Sequence, residues 1–225
     1  MTDSISNRIF TSVILSTVLL IGLFFHKYLW LILLIISSII CFFEFNNLAK
    51  KICKKKESFI YGVNLISSLY LIFFTYSAFE IYKQGVNLII FLILICIFSD
   101  IGGYVIGKTV GGKKLTKISP NKTISGSIGS FIFSFIPIII FLFIYKLTKS
   151  NEFQIYKNEF SSILYVCLLI SLICQLGDLF ISFFKRKAKI KDTGSILPGH
   201  GGLLDRIDGI VFAIPSFFIV NKIFF

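Results

Sequence analysis

Charge is scarce in this chain. Only 15% of its 225 residues are Asp, Glu, Lys or Arg, where a soluble globular domain carries about a quarter. Hydrophobic residues make up 56%, Phe alone numbers 27, and the mean hydropathy is +0.88. A soluble core is set aside on those figures. Nor is there a CxxC pair: Cys41, Cys53, Cys96, Cys167 and Cys174 are scattered, most of them inside apolar runs. Cys167 and Cys174 can share a helix face, but buried packing accounts for them better than a disulfide or a metal site. No internal repeat of the solenoid or inverted-transporter kind is evident. The net charge of +12 would suggest nucleic acid in a soluble protein. Without an RNA-binding signature or interleaved aromatic and basic residues, membrane topology and anionic partners explain it better, and no nucleic-acid partner is expected.

What the chain has in abundance is apolar runs of spanning length, roughly 17–25 residues. They predict an all-α, polytopic integral membrane helix bundle of about seven transmembrane helices, at 9–25, 28–45, 58–80, 86–107, 126–146, 159–184 and 206–224. The first run follows Arg8 like a signal peptide, yet it lacks a small-residue cleavage site and reads as a retained helix. The fourth is interrupted by Asp100, Gly102 and Gly103. Most of the 23 basic residues fall on alternate connections: Arg8, then Lys50 to Lys56, then Lys108 to Lys122, then Lys185 to Arg206. The positive-inside rule places those connections, and the N-terminus, in the cytoplasm.

One segment is dense in polar groups. Ser182 to Asp208 reads SFFKRKAKIKDTGSILPGHGGLLDRID, and ionisable groups at a bilayer edge are costly enough to imply function. Asp178, Asp205 and Asp208 mark the ends of the last two spans, and the spacing of Asp205 and Asp208 puts both on one helix face. Clustered carboxylates repel unless a cation sits between them, and magnesium suits oxygen ligands and phosphates. Salt bridges to Arg186 and Arg206 are the plainer alternative. Lys185, Arg186, Lys191 and Arg206 suit phosphate, Arg as a bidentate fork and Lys as a point charge. Lys187 and Lys189 read as head-group anchors. Pro198 to Gly202 form a side-chain-poor turn ahead of a helix start, which favours an anion. His200 within it would donate to a phosphate or cap the loop; His26, between two spans, reads as structural.

A second polar loop, Ser99 to Gly126, contains Asp100 late in a span, where an acid demands a partner or an ion. Ser119, Lys122 and Thr123 supply hydroxyl and ammonium donors suited to a nucleotide's phosphates or ribose. The same residues also make a good N-cap and anchor.

Ser182, Lys185-Arg186, Lys191-Asp192, Gly194, Leu197-Pro198, His200-Gly201-Gly202, Asp205-Arg206 and Asp208 resemble, at every fixed position, the signature of the phosphatidate cytidylyltransferase (CDP-diglyceride synthase) family. The Ser99–Gly126 loop resembles that family's second motif. The likeness covers roughly 85–215. It divides the chain into N-terminal transmembrane helices at 1–84 and a catalytic transmembrane region at 85–225, with motif loops at 108–125 and 185–205. Ile181 and Ser125 stand where many members carry Glu, and Gly103 replaces a common Ala. The resemblance implies a multi-pass enzyme of a bacterial-type cytoplasmic membrane that joins CTP and phosphatidate into CDP-diacylglycerol and pyrophosphate. It implies Mg²⁺ held by Asp178, Asp205 and Asp208, a second cation being left open, with Lys191 also in the catalytic set. Lys185, Arg186, Arg206, His200, Ser119, Lys122 and Thr123 would bind substrate. A homodimer is left open. Two alternatives stand beside it: a CTP-dependent polyprenol-type lipid kinase, which would yield CDP, and a transporter, which would place its acids near mid-span.

Overall fold

The computed structural model describes residues 2–53, 57–116, 119–148, 160–199 and 201–224. These form α1 (Thr2–Phe24), α2 (Lys27–Ile52), α3 (Glu57–Gln84), α4 (Val86–Thr109), α5 (Ile124–Phe133), α6 (Ile136–Thr148), α7 (Phe160–Lys187) and α8 (Leu204–Phe224). Among the described residues, extended pairing is confined to two isolated bridges. In lipid every backbone amide must be satisfied within its own segment, and a helix does this. Five stretches are long and apolar enough to cross a membrane: Lys27–Ile52, Glu57–Gln84, Val86–Thr109, Ile124–Leu147 and Phe160–Lys187. With the shorter apolar part of α1, Ile9–Phe24, and with α8, the expected count of about seven is compatible. The protein is a multi-pass membrane protein.

Two departures from the expected spans have local causes. The run at 126–146 is two helices, because Pro137 lacks the N–H that a continuous helix needs and sits comfortably only in a first turn. Ser134 lies at the break and donates its hydroxyl to the Phe131 carbonyl at 2.7 Å. The run at 86–107, by contrast, is not interrupted: α4 passes through Asp100, Gly102 and Gly103 unbroken. Its glycines serve packing. A Cβ on Gly102 would lie 2.5 Å from the Gly129 carbonyl, and one on Gly126 would lie 2.7 Å from that of Gly103. α4 and α5 therefore touch backbone to backbone, as small residues permit between membrane helices.

Interhelical polar contacts fix α7 against this pair. The buried Ser99 and Ser171 hydroxyls are 2.8 Å apart, and Ser127 of α5 donates to Oε1 of Gln175 at 2.6 Å. The apolar core runs through α2, α3, α4, α7 and α8 and includes Leu34, Phe74, Ile89, Ile95, Ile170 and Ile214. Ile66, Ile72 and Tyr165 are among many large apolar side chains exposed on the outside, as a lipid-facing surface requires. His26 caps α2, its Nδ1 accepting from the Tyr28 amide at 3.3 Å.

Candidate active site

The second polar loop folds as a small closed unit. Leu115 N–H donates to the Lys122 carbonyl at 2.8 Å, Ile124 N–H to that of Lys113 at 3.0 Å, and Lys122 N–H to that of Ser119 at 3.1 Å. Thr123 then starts α5, its hydroxyl accepting from the Gly126 amide at 3.0 Å, so the N-cap alternative is realised. Ser125 donates to the Gly111 carbonyl and ties the loop back on itself. Between this loop and helices α4, α5 and α7 lies a polar cavity of about 320 Å³, lined by Asp100, Ser119, Lys122, Thr123, Gln175 and Asp178 among others.

Asp178 is held from two sides, by an ion pair with Lys122 and by the Ser182 hydroxyl at 3.2 Å. Asp100 and Asp208 lie close enough that the three carboxylates repel one another. Asp208 reaches this group because α7 and α8 pack tightly: a Cβ on Gly177 would lie 2.8 Å from the Asp208 carbonyl. Among the described residues, no three His, Cys, Asp or Glu side chains form a ready metal cage.

Asp205 goes elsewhere. Its Oδ1 accepts from Lys185 Nζ at 2.7 Å, while its Oδ2 accepts from the amides of Thr193 at 2.7 Å and Gly202 at 3.1 Å, with the Thr193 hydroxyl at 3.0 Å. Asp205 sits in the polar first turn of α8, ahead of the apolar stretch. Burial works to raise its carboxyl, but the hydrogen bonds from Lys185, Thr193 and Gly202 outweigh it and hold the group below the ordinary carboxylate range. Asp205 and Asp208, one turn apart, thus have different described partners. A first-turn side chain folds back toward unpaired amides, whereas Asp208, a turn later, accepts only from the neighbouring Gly209 amide at 2.9 Å among its described hydrogen bonds.

The signature loop ends in a closed turn, with Leu197 and Gly201 exchanging backbone hydrogen bonds of 3.0 and 3.1 Å. Gly199 and Gly201 adopt φ of 75° and 83°, where a side chain would be strained. His200 lies outside the described residues. Arg186, Lys191 and Arg206 are exposed to solvent around this loop. Lys187 lies over the Phe183 ring at 4.5 Å.

Two features escaped the sequence. One is an apolar cavity of about 360 Å³ lined by Phe45, Tyr70, Ile181, Phe184, Phe212 and others. Ile181 is buried against it. The other is Glu44 of α2, 3% exposed, which meets Thr193 and the start of α8. An acid closing an otherwise apolar run was the signal available for it.

Comparison with known proteins gives the family. The cytidylyltransferase family model matches residues 56–224, and the chain belongs to that family. It is 39% identical over 139 residues to a phosphatidate cytidylyltransferase of Staphylococcus saprophyticus, covering 61% of this chain and 50% of that protein. It is 41% identical over 143 residues to the protein of the same name from Rickettsia bellii, covering 61% and 59%. The corresponding protein of Staphylococcus aureus strain COL is 41% identical over 138 residues, covering 61% and 50%. The chain thus spans about half the length of the curated relatives it matches.

Proposed function

We propose that this protein is a phosphatidate cytidylyltransferase, converting CTP and phosphatidate to CDP-diacylglycerol and pyrophosphate. One observation carries this assignment. Within two turns of α7, Asp178 lines the polar cavity while Phe180, Ile181 and Phe184 line the apolar one. A lipid with a phosphate head and acyl tails can straddle that boundary, its head beside the acids and its chains against Phe45, Tyr70 and Phe212. The names of the relatives point to the same substrates.

In the reaction a phosphate oxygen of phosphatidate attacks the α-phosphorus of CTP. The bond from that phosphorus to the bridging oxygen of the β-phosphate breaks, and pyrophosphate leaves with the electron pair. Positioning and charge neutralisation carry most of the rate in such transfers. Lys122 is placed to exchange Asp178 for a phosphate. Lys185, Arg186, Lys191 and Arg206 surround the loop as further phosphate partners, with Ser119 and Thr123 at the nucleotide side; His200 is a further candidate donor by its place in the sequence. Asp178 and Asp208, beside Asp100, would hold magnesium, and their hard oxygens fit it; Asp205 would join them only by giving up Lys185. Three carboxylates exceed what one Mg²⁺ usually takes from protein, which leaves a second cation open. When bound, the metal would polarise phosphoryl oxygens and offset the charge of the leaving pyrophosphate.

The loops at 108–125 and 185–205 face the cytoplasm in this account, where CTP is available. The basic connections support that orientation, and the bacterial relatives support a cytoplasmic membrane. The test is pyrophosphate release by purified protein in detergent with CTP and Mg²⁺. Release that requires phosphatidate is expected; none, under conditions where a relative turns over, would overturn the proposal.

A further inference from the structure

Glu44 is a carboxylate inside a membrane helix with no cation among its described partners. Its Oε1 accepts from the Leu203 amide at 2.9 Å, and its Oε2 accepts from the Leu204 amide at 2.9 Å and the Thr193 hydroxyl at 2.8 Å. These partners lie 149 to 160 positions away in sequence. Thr193 is itself buried, at 5% exposure. The loop is shaped around this carboxylate. A Cβ on Gly194 would come within 2.6 Å of Glu44 Oε1, and one on Gly202 would collide with Glu44 Oε2 and the Thr193 hydroxyl.

Burying a carboxylate is costly unless donors replace its water. Here the donors are two amides at the start of α8, which have no partner inside their own helix and favour negative charge. Each side satisfies the other. The Thr193 hydroxyl has one proton and stands between Glu44 and Asp205, while the Thr193 amide holds Asp205. A continuous network therefore runs from α2 through Thr193 and Asp205 to Lys185.

We propose that Glu44 is a positioning residue for the reaction. It fixes the start of α8 and the Thr193–Asp205–Lys185 set relative to the membrane helices. The N-terminal helices, which precede the matched residues 56–224, thereby become part of the scaffold of the site. The kinetic part of this proposal rests on the cytidylyltransfer reading.

The test uses the full chain in detergent and two readouts. Glu44→Gln keeps the shape but removes the charge and one acceptor. Amide hydrogen exchange at Leu203 and Leu204 should quicken about tenfold or more, the loss expected when a buried donor goes unpaired, with α4 amides unchanged. With CTP and phosphatidate, kcat should fall about 10–100-fold while KM for CTP moves less than about threefold, the split of an interaction felt in the transition state. Thr193→Val breaks the same network from the other side. The double variant should lose no more than the worse single, as neighbours in one network do. A Glu44→Gln protein with wild-type kcat overturns the proposal whether or not exchange quickens, as does a rise in KM alone or strict additivity with Thr193→Val. Should Glu44→Gln fail to fold, Thr193→Val decides: a folded protein with reduced kcat supports the network, and wild-type kcat overturns it. If the wild type makes no liponucleotide, the proposed function fails, and the exchange rates still report separately on Glu44 at α8.

Discussion

Asp205 and Asp208 lie one helical turn apart on α8, yet their surroundings differ in kind. Asp205 is enclosed by Lys185, the Thr193 and Gly202 amides and the Thr193 hydroxyl. Asp208 shares its space with Asp178 and Asp100; Lys122 pairs with Asp178, and Lys185, the partner of Asp205, also lies near enough to act on Asp208. A carboxylate whose oxygens are already served holds structure in place. Carboxylates that face one another with few donors create a demand for positive charge, which a metal ion or a displaced lysine can meet. The same residue type thus sits in a donor-rich pocket in one place and among like charges in the other.

Removing charge from the second group should have the largest effect. Asp208→Asn or Asp178→Asn should lower turnover by about 10²–10³-fold, the scale of losing one preorganised electrostatic group, and raise the Mg²⁺ concentration for half-maximal rate. A Mg²⁺ titration of turnover checks both. Asp205→Asn should also slow turnover, but with unchanged Mg²⁺ dependence and a loss of about 1–3 kcal/mol in stability, since the charge and one of the two acceptor oxygens are lost, leaving either Lys185 or the two amides unserved. An identical Mg²⁺ shift in both variants would erase the distinction.

Smaller effects sharpen the contrast between scaffold and site. Gly129→Ala should destabilise the protein by about 1–3 kcal/mol through overpacking, because the added Cβ would lie 2.5 Å from Ile106 Cβ and 2.6 Å from the Gly102 carbonyl. Thermal unfolding in detergent reads it. Lys187→Ala should be nearly silent, losing at most the roughly 0.5–1 kcal/mol of an exposed cation–π contact, with turnover within about twofold.

The sequence made the local parts of this site legible. Fixed residues of the 182–208 loop, the glycine turn before α8, and Thr123 as the start of α5 all depend on neighbours a few positions away. Pro137 was equally visible, but a hydropathy run averages over a single break, so the span at 126–146 did not show that it is built of two helices. Glycines in α4 looked like an interruption because their partner, the Gly126–Gly129 face of α5, is known only once the helices pack. Asp100 was flagged as needing a partner, but which carboxylates would join it depends on how α4, α7 and α8 meet. Spacing alone put Asp205 and Asp208 on one face; the unpaired amides at a helix start, which serve Asp205, belong to a loop folded back from α7. Glu44 was the least legible, because its partners lie at the other end of the chain.

The most direct measurement follows the two ends of the CTP triphosphate separately. Purified protein is given phosphatidate, Mg²⁺ and CTP labelled either at the α- or at the γ-phosphorus, and the lipid phase is counted. The account predicts that α-label enters the lipid only when phosphatidate is present, while γ-label leaves as pyrophosphate. Transfer of γ-label to lipid, with CDP left in solution, would contradict it and mark the protein as a kinase.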